Sequence, residues 1–156
     1  MHGSLLVLAL SLAAPLFAKG SEGWFSLAPC ELCLWQRWPY WAAAGLAALS
    51  LFVARRSLLC LAGLAAAASA AVAAFHLGVE WGWWPSPLAG CQVPTAGASL
   101  SVEDMLRSLA PAPSKPCDLP AFLIPGLPLS MAGMNLFYGL FVAILAWRIA
   151  RKEPRA

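Results

Sequence analysis

The chain has 156 residues, of which 61% are hydrophobic and only 11% are charged. Soluble proteins average about 45–50% apolar and about 25% charged residues, so this composition excludes an ordinary soluble domain and indicates a single membrane domain. The formal net charge of +3 is too small to indicate a nucleic-acid partner, and none is expected. The partner that the composition predicts is the lipid bilayer.

Four apolar blocks follow one another along the chain, and each predicts a helix. A membrane-spanning helix needs about 20 apolar residues. The last three blocks reach this length, whereas the first is shorter and contains Pro15. The first block could be a secretory signal peptide, but its start has no lysine or arginine, so we expect an uncleaved helix. The prediction is one integral membrane domain, 1–156, with helices at about 4–25, 33–54, 57–79 and 129–148 and a loop at about 80–128.

Two further patterns predict how these helices are arranged. The third helix is rich in alanine, and small residues let membrane helices approach closely, which predicts a tight bundle. Loops on the cytoplasmic side of a membrane are enriched in lysine and arginine. Six of the ten basic residues fall between the second and third blocks or after the fourth: Arg55, Arg56, Arg148, Arg151, Lys152 and Arg155. Both termini are therefore predicted to be cytoplasmic, with the start of the second helix and the long loop facing outward.

Four of the five cysteines fall on the predicted outer side, where disulfides persist: Cys30, Cys33, Cys91 and Cys117. The fifth, Cys60, falls near the cytoplasmic end of the third helix. We interpret Cys60 as a small packing residue rather than a reactive thiol.

The spacing of Cys30 and Cys33 allows a disulfide that cycles, a metal site, or neither. Both cysteines lie at the expected start of the second helix, where backbone N–H groups and the helix dipole stabilise a thiolate. Arg37, one turn beyond, either stabilises negative charge on a bound electron acceptor or extends to lipid head groups. No histidine is close in sequence and only His2 and His76 occur in the chain, so no metal is predicted.

The outer loop contains the second cysteine pair. A bridge between Cys91 and Cys117 would close a loop of about 27 residues and stabilise the fold by about 3.5 kcal/mol. Such a bridge is either a structural staple or a shuttle that exchanges disulfides with the first pair. The segment 101–109 predicts a short amphipathic helix, which either lies flat on the membrane or folds back on the bundle.

Three stretches together resemble the disulfide bond formation protein B (DsbB) family of bacterial inner membranes. They are Pro-Cys-Glu-Leu-Cys-Leu-Trp-Gln-Arg at 29–37, Trp-Pro-Ser-Pro-Leu-Ala-Gly-Cys at 84–91 and Pro-Cys-Asp at 116–118. The resemblance covers essentially the whole chain. It implies an all-α membrane protein, a four-transmembrane-helix bundle of the inner membrane, with a long periplasmic loop that carries the short amphipathic helix.

The resemblance implies an enzyme, a quinone-dependent protein-disulfide oxidoreductase. Its partners would be a soluble periplasmic DsbA-type thiol oxidase of thioredoxin fold and the membrane quinone pool, with ubiquinone or menaquinone as cofactor. Carried onto this chain, the resemblance implies that the partner's thiolate attacks Cys91 and that Cys117 is its pair mate. The Cys30–Cys33 disulfide then reoxidises that pair. Electrons leave for the quinone, with Cys33 as the quinone-facing thiolate and Arg37 as the quinone-site arginine.

Three polar residues near these cysteines are further candidates for the quinone site. Gln36 could donate a hydrogen bond to a quinone carbonyl or bind lipid head groups. His76 and Glu80 are four residues apart near the outer end of the third helix, so they could face each other and relay protons to a reduced quinone. Ordinary polarity at a helix end is the simpler interpretation of both.

Two other functions fit parts of the same pattern. A quinone reductase resembling vitamin K epoxide reductase also couples two cysteine pairs on a four-helix bundle, but its quinone-side pair would be expected on a later helix. A non-catalytic membrane protein with two structural disulfides, such as a subunit or a metal carrier, needs no quinone and no exchange between the pairs.

Overall fold

A computed structural model describes residues 2–25, 27–53, 55–88, 91, 115–124 and 126–154. This part of the chain is helical and has no strand, apart from one isolated bridge between Phe122 and Ser130. The helices are α1 (His2–Phe25), α2 (Glu31–Trp35), α3 (Trp38–Leu49), α4 (Arg55–Glu80) and α5 (Met131–Lys152). The predicted all-α class is confirmed. The predicted helix at 101–109 lies outside the described residues.

The described helices have the surface of a membrane protein. Within that part of the chain, α1, α4 and α5 are long and apolar enough to span a bilayer. Large apolar side chains point outward, as Leu64 and Phe137 do at 59% and 62% exposure, while alanine, glycine and serine fill the interior. Such an exposed apolar surface suits contact with lipid. With 12 residues, α3 is shorter than the roughly 20 that a span requires, so a fourth span stays a prediction.

The second predicted helix, at about 33–54, is instead two short helices in the structure. Pro39 is the second residue of α3. It has no N–H to donate to the carbonyl four residues earlier, so the helix cannot run through this point unbroken. The Arg37 N–H instead donates to the Leu34 carbonyl (3.1 Å), which makes a tighter turn. Beyond α3, the Ser50 hydroxyl donates to the Ala47 carbonyl (2.7 Å) and the chain turns toward α4.

The alanines of α4 form the face that packs against α5. Ala62, Ala66, Ala70 and Ala73 are all at most 1% exposed, which confirms the close packing predicted for this helix. Cys60 does not share this face, because its side chain is exposed. The interpretation of Cys60 as a packing residue is therefore wrong. Its backbone carbonyl accepts the indole N–H of Trp147 (3.1 Å).

Gly139 of α5 marks the closest approach between these helices. A Cβ atom at Gly139 would lie 3.0 Å from the Ala70 Cβ and 3.1 Å from the Tyr40 hydroxyl. We expect Gly139→Leu to lower the free energy of unfolding by about 1–3 kcal/mol, because the packed interior must be forced apart. Denaturation in mixed micelles, followed by circular dichroism, measures the change. Gly45→Leu is the matched control, since a Cβ at Gly45 meets no atom within 4 Å. Equal stability of the two variants would contradict the prediction.

Candidate functional site

The first cysteine pair is built into the start of α2. Cys30 is the N-cap of this helix, and its sulfur accepts the backbone N–H of Cys33 at 3.2 Å. This is the capping contact that serine or aspartate often makes. It directs the Cys30 sulfur toward the first turn of α2, where Cys33 lies. Both thiols are free in this structure, with Cys30 buried and Cys33 partly exposed.

The second pair lies against the first. Cys91 and Cys117 are joined by a disulfide, and the Cys117 N–H donates to the Cys91 carbonyl at 3.3 Å. Both are buried in one cluster with Cys30 and the side chain of Val79, and Cys33 packs against the cluster. The structure therefore brings all four predicted site cysteines together, with one pair as a dithiol and the other as a disulfide.

His76 connects the two pairs. Its Nε2 lies 3.6 Å from the Cys30 sulfur and 3.2 Å from the Cys117 carbonyl oxygen, to which it can donate. The side chain is only 2% exposed. Packing of α2 on α4 thus brings together two residues that are 46 apart in sequence, Cys30 and His76.

A chain of buried hydrogen bonds runs from His76 across the bundle. The Gln36 amide donates to His76 Nδ1 at 2.9 Å. The Asn135 amide donates to Gln36 Oε1 at 2.8 Å, and the Tyr40 hydroxyl donates to Asn135 Oδ1 at 2.8 Å. Asn135 also donates to the hydroxyl of Ser69 at 3.2 Å. In this orientation of the amides, His76 Nδ1 accepts a hydrogen bond, so a neutral His76 holds its proton on Nε2.

Glu80 also faces His76, as their spacing predicts. One carboxylate oxygen lies 3.9 Å from His76 Nε2, and the other accepts a hydrogen bond from the Ser130 hydroxyl. The contact becomes an ion pair only when His76 is protonated. These three residues link the end of α4 to the start of α5.

Arg37 has a partner that the sequence analysis missed. Its guanidinium forms an ion pair with Glu22 near the end of α1. A second guanidinium nitrogen, Nε, is buried and has no hydrogen-bond partner among the described residues. A buried donor without an acceptor is costly, so this N–H marks a place where a ligand oxygen would be stabilised.

A cavity of about 420 Å³ lies beside Arg37, between α1, the α2–α3 break and α5. Most of its wall is apolar and includes Pro15, Phe17 and Met134. Polar and charged side chains from seven residues also line the cavity: Glu22, Cys33, Gln36, Arg37, Tyr40, Asn135 and Tyr138. Apolar walls with a few convergent polar groups are typical of sites for a small apolar molecule with a polar head.

The two free thiols differ in exposure. Cys30 is 3% exposed, and its sulfur accepts the backbone N–H of Cys33. Cys33 is partly exposed and lines the cavity beside Arg37. A reagent can therefore reach the Cys33 sulfur more easily than the Cys30 sulfur.

This difference predicts the order of alkylation. In the dithiol form, Cys33 should be alkylated before Cys30, because Cys30 is buried and Cys33 is partly exposed. Peptide mass spectrometry after timed iodoacetamide pulses measures both rates, with the exposed Cys60 as an internal reference. Alkylation of Cys30 before Cys33 would contradict the prediction.

The sequence analysis missed four residues of this site: Glu22, Tyr40, Ser69 and Asn135. The signal that could have found them is a polar side chain inside an apolar block, since such residues are costly in a membrane unless they bind or pair. Asn135 is the only asparagine in the chain and lies in the fourth block.

Comparison with known families gives one match. The family model of disulfide bond formation protein DsbB matches residues 2–149. No curated protein and no solved structure gives a significant match. The resemblance seen in the cysteine motifs is thereby confirmed. The match covers nearly the whole described bundle, including the two adjacent cysteine pairs and the apolar helices. The chain therefore belongs to the DsbB family of membrane disulfide oxidoreductases that form disulfide bonds.

Proposed function

We propose that this protein reoxidises a periplasmic thiol oxidase of DsbA type and passes the electrons to a membrane quinone. One observation carries the proposal: Cys33 lines an apolar cavity, while its pair mate Cys30 packs against the Cys91–Cys117 disulfide. The pair thus contacts both a disulfide that a protein could reduce and a space that an apolar acceptor could fill.

The cysteines of this chain supply a complete exchange route. A partner thiolate attacks Cys91, forming a mixed disulfide and releasing the Cys117 thiolate. When the first pair is oxidised, Cys117 attacks the Cys30 sulfur, and the Cys33 thiolate leaves. The partner's second thiol then resolves the mixed disulfide at Cys91. Attack by the Cys91 thiolate on Cys117 restores the outer disulfide and leaves Cys30 and Cys33 as a dithiol.

The surface beside Cys91 supports access by a partner. A shallow depression there is lined by Trp84, Ser86 and Asp118. Only 3% of Cys91 is exposed, so the partner's sulfur must approach through this depression. Attack at Cys91 is also favoured over attack at Cys117, which is fully buried.

The residues of the cavity fit a quinone. Its ring would lie beside Cys33, with a carbonyl oxygen placed to accept from the unpartnered Nε–H of Arg37. The apolar walls from α1 and α5 suit an isoprenoid tail. A bound quinone supplies the acceptor for the two electrons and two protons that the dithiol releases. The ion pair with Glu22 holds the guanidinium in this position.

We propose that three residues control proton transfer beside the dithiol: His76, Gln36 and Glu80. Neutral His76 lies within reach of the Cys30 sulfur, and Glu80 lies 3.9 Å beyond on the same helix. Both ends of the Gln36 amide are occupied by His76 and Asn135. Gln36 is therefore proposed to orient His76 rather than to bind the quinone directly.

The proposed setting is the bacterial inner membrane. The basic residues favour cytoplasmic termini, and four outward cysteines agree with an oxidising periplasm. In this arrangement α2 and α3 together form the second of four spans, and the loop at about 80–128 faces the periplasm.

Quinol formation driven by a reduced DsbA-type protein tests the proposal. Purified protein in nanodiscs, with ubiquinone or menaquinone supplied, should convert quinone to quinol in step with partner disulfide formation. The Cys30→Ser, Cys33→Ser double variant should be inactive, and Cys60→Ser should match the unmodified protein. Partner oxidation that continues in the double variant would overturn the proposal. So would a thiol-trapping pattern that is the same in quinone-replete and quinone-depleted membranes, since this is what purely structural disulfides predict.

A further inference from the structure

An imidazole, that of His76, lies beside the dithiol of Cys30 and Cys33. The two sulfurs and a ring nitrogen of His76 all lie within 4.8 Å of one another. Two thiolates and one imidazole form a common zinc ligand set. In a tetrahedral zinc site, ligands at about 2.3 Å (sulfur) and about 2.0 Å (nitrogen) are separated by about 3.5 Å. The observed distance from the Cys30 sulfur to His76 Nε2 is 3.6 Å.

We propose that the reduced form of this pair, together with His76, binds a soft divalent cation of the zinc class. The cation would take Cys30 Sγ, Cys33 Sγ and His76 Nε2 as ligands and a water molecule as the fourth. Cys33 lines the cavity beside α1, which gives the cation a route to the ligands.

Charge selects the class of cation. Two thiolates, one neutral imidazole and one divalent ion sum to zero. A neutral group suits this place because Cys30 and His76 are 3% and 2% exposed. A monovalent soft ion would leave a buried negative charge. Hard cations such as magnesium prefer oxygen ligands, so sulfur disfavours them.

The buried amide chain is compatible with the bound cation. Binding at Nε2 requires the His76 proton to move to Nδ1, where it would face the Gln36 amide. If the side-chain amides of Gln36 and Asn135 both rotate so that their oxygen and nitrogen atoms exchange places, each donor again faces an acceptor. The Tyr40 hydroxyl permits this, because it can accept from Asn135 instead of donating. The reversal loses the 3.2 Å contact from Asn135 to Ser69, and binding of the cation at Nε2 loses the 3.2 Å contact from His76 to the Cys117 carbonyl.

Redox state controls the proposed site. Metal binding needs deprotonated thiols, and two sulfurs joined in a disulfide offer none. The oxidised pair therefore has no site, whereas the dithiol seen here has one. Binding would hold the pair reduced and stop turnover. The binding rests on the geometry alone, and only this inhibition rests on the proposed function.

The test uses full-length protein in detergent with Cys91→Ser and Cys117→Ser, so that the first pair is the site available for reduction. Zinc is titrated against a chromophoric chelator after anaerobic reduction, and cobalt is used as a spectroscopic probe. We expect one zinc per chain and a cobalt spectrum of tetrahedral thiolate type. Cys33→Ser and His76→Ala should each weaken binding at least about tenfold. Cys60→Ser, which removes an exposed thiol elsewhere, should bind as before.

The proposal is overturned if the oxidised protein binds zinc equally well, if Cys33→Ser and His76→Ala both retain full affinity, or if reduced protein binds none at micromolar zinc. His76→Gln provides a second variant should His76→Ala fail to fold. Circular dichroism before titration identifies such a failure. Zinc binding without quinone turnover would reject the proposed function and support the metal site. Quinone turnover without zinc binding would support the proposed function and reject the metal site.

Discussion

Replacing Cys33 with serine is expected to stop quinol formation almost completely, by at least about a thousandfold. The loss of this sulfur removes the thiolate that lines the cavity, so no electron donor faces the acceptor. A second result follows from the cluster of four cysteines. In this variant the Cys30 thiolate can still attack Cys117 of the outer disulfide and release the Cys91 thiolate. A Cys30–Cys117 disulfide should therefore be trapped when the released Cys91 is alkylated, since Cys30 and Cys117 belong to the same buried cluster.

Non-reducing peptide mapping of the purified variant measures this bridge. Cys60→Ser is the matched control, because it removes an exposed thiol outside the cluster and should neither slow turnover nor trap a bridge. A Cys33→Ser variant that turns over normally would remove Cys33 from the route. A variant in which Cys30 stays free while Cys91–Cys117 cycles would show that the two pairs do not exchange.

The helical class and the tight alanine face follow from sequence because they depend on local patterns. Apolar length predicts helices, and small residues at helical spacing predict close contact. The break in the second helix was also visible, since Pro39 follows Arg37 closely, but hydropathy averaged over a window conceals it. The number of spans is harder to read, because a 12-residue helix and its flanking turns have the hydropathy of one longer helix.

Only part of the candidate site could be predicted from the sequence, because its residues come from several helices. The reactive motif is local, so Cys30, Cys33 and Arg37 were found from spacing alone. The neighbours of these residues come from α1, α4 and α5. Packing brings Glu22 to Arg37 and His76 to Cys30, and no local pattern encodes either contact.

Asn135→Leu is expected to damage both stability and turnover. The asparagine takes part in three hydrogen bonds, with Gln36, Ser69 and Tyr40. Each such bond inside a membrane protein is worth about 0.6–2 kcal/mol, so we expect the free energy of unfolding to fall by about 2–4 kcal/mol. Turnover should fall by about tenfold or more, because Gln36 then loses the donor that holds its amide toward His76.

Tyr40→Phe separates the two effects. This substitution removes one hydrogen bond, at the end of the hydrogen-bond chain that is farthest from His76, and leaves the contacts of Asn135 with Gln36 and Ser69. The losses of stability and turnover should therefore be clearly smaller than in Asn135→Leu. Denaturation in mixed micelles gives the stability, and quinol formation over a range of quinone concentrations gives kcat and KM. A fall in kcat is expected because His76 lies beside the thiols, and a change in KM is expected as well because Asn135 itself lies in the cavity wall. If Asn135→Leu loses stability alone, with kcat unchanged, the amide chain would be a packing device that does not position His76.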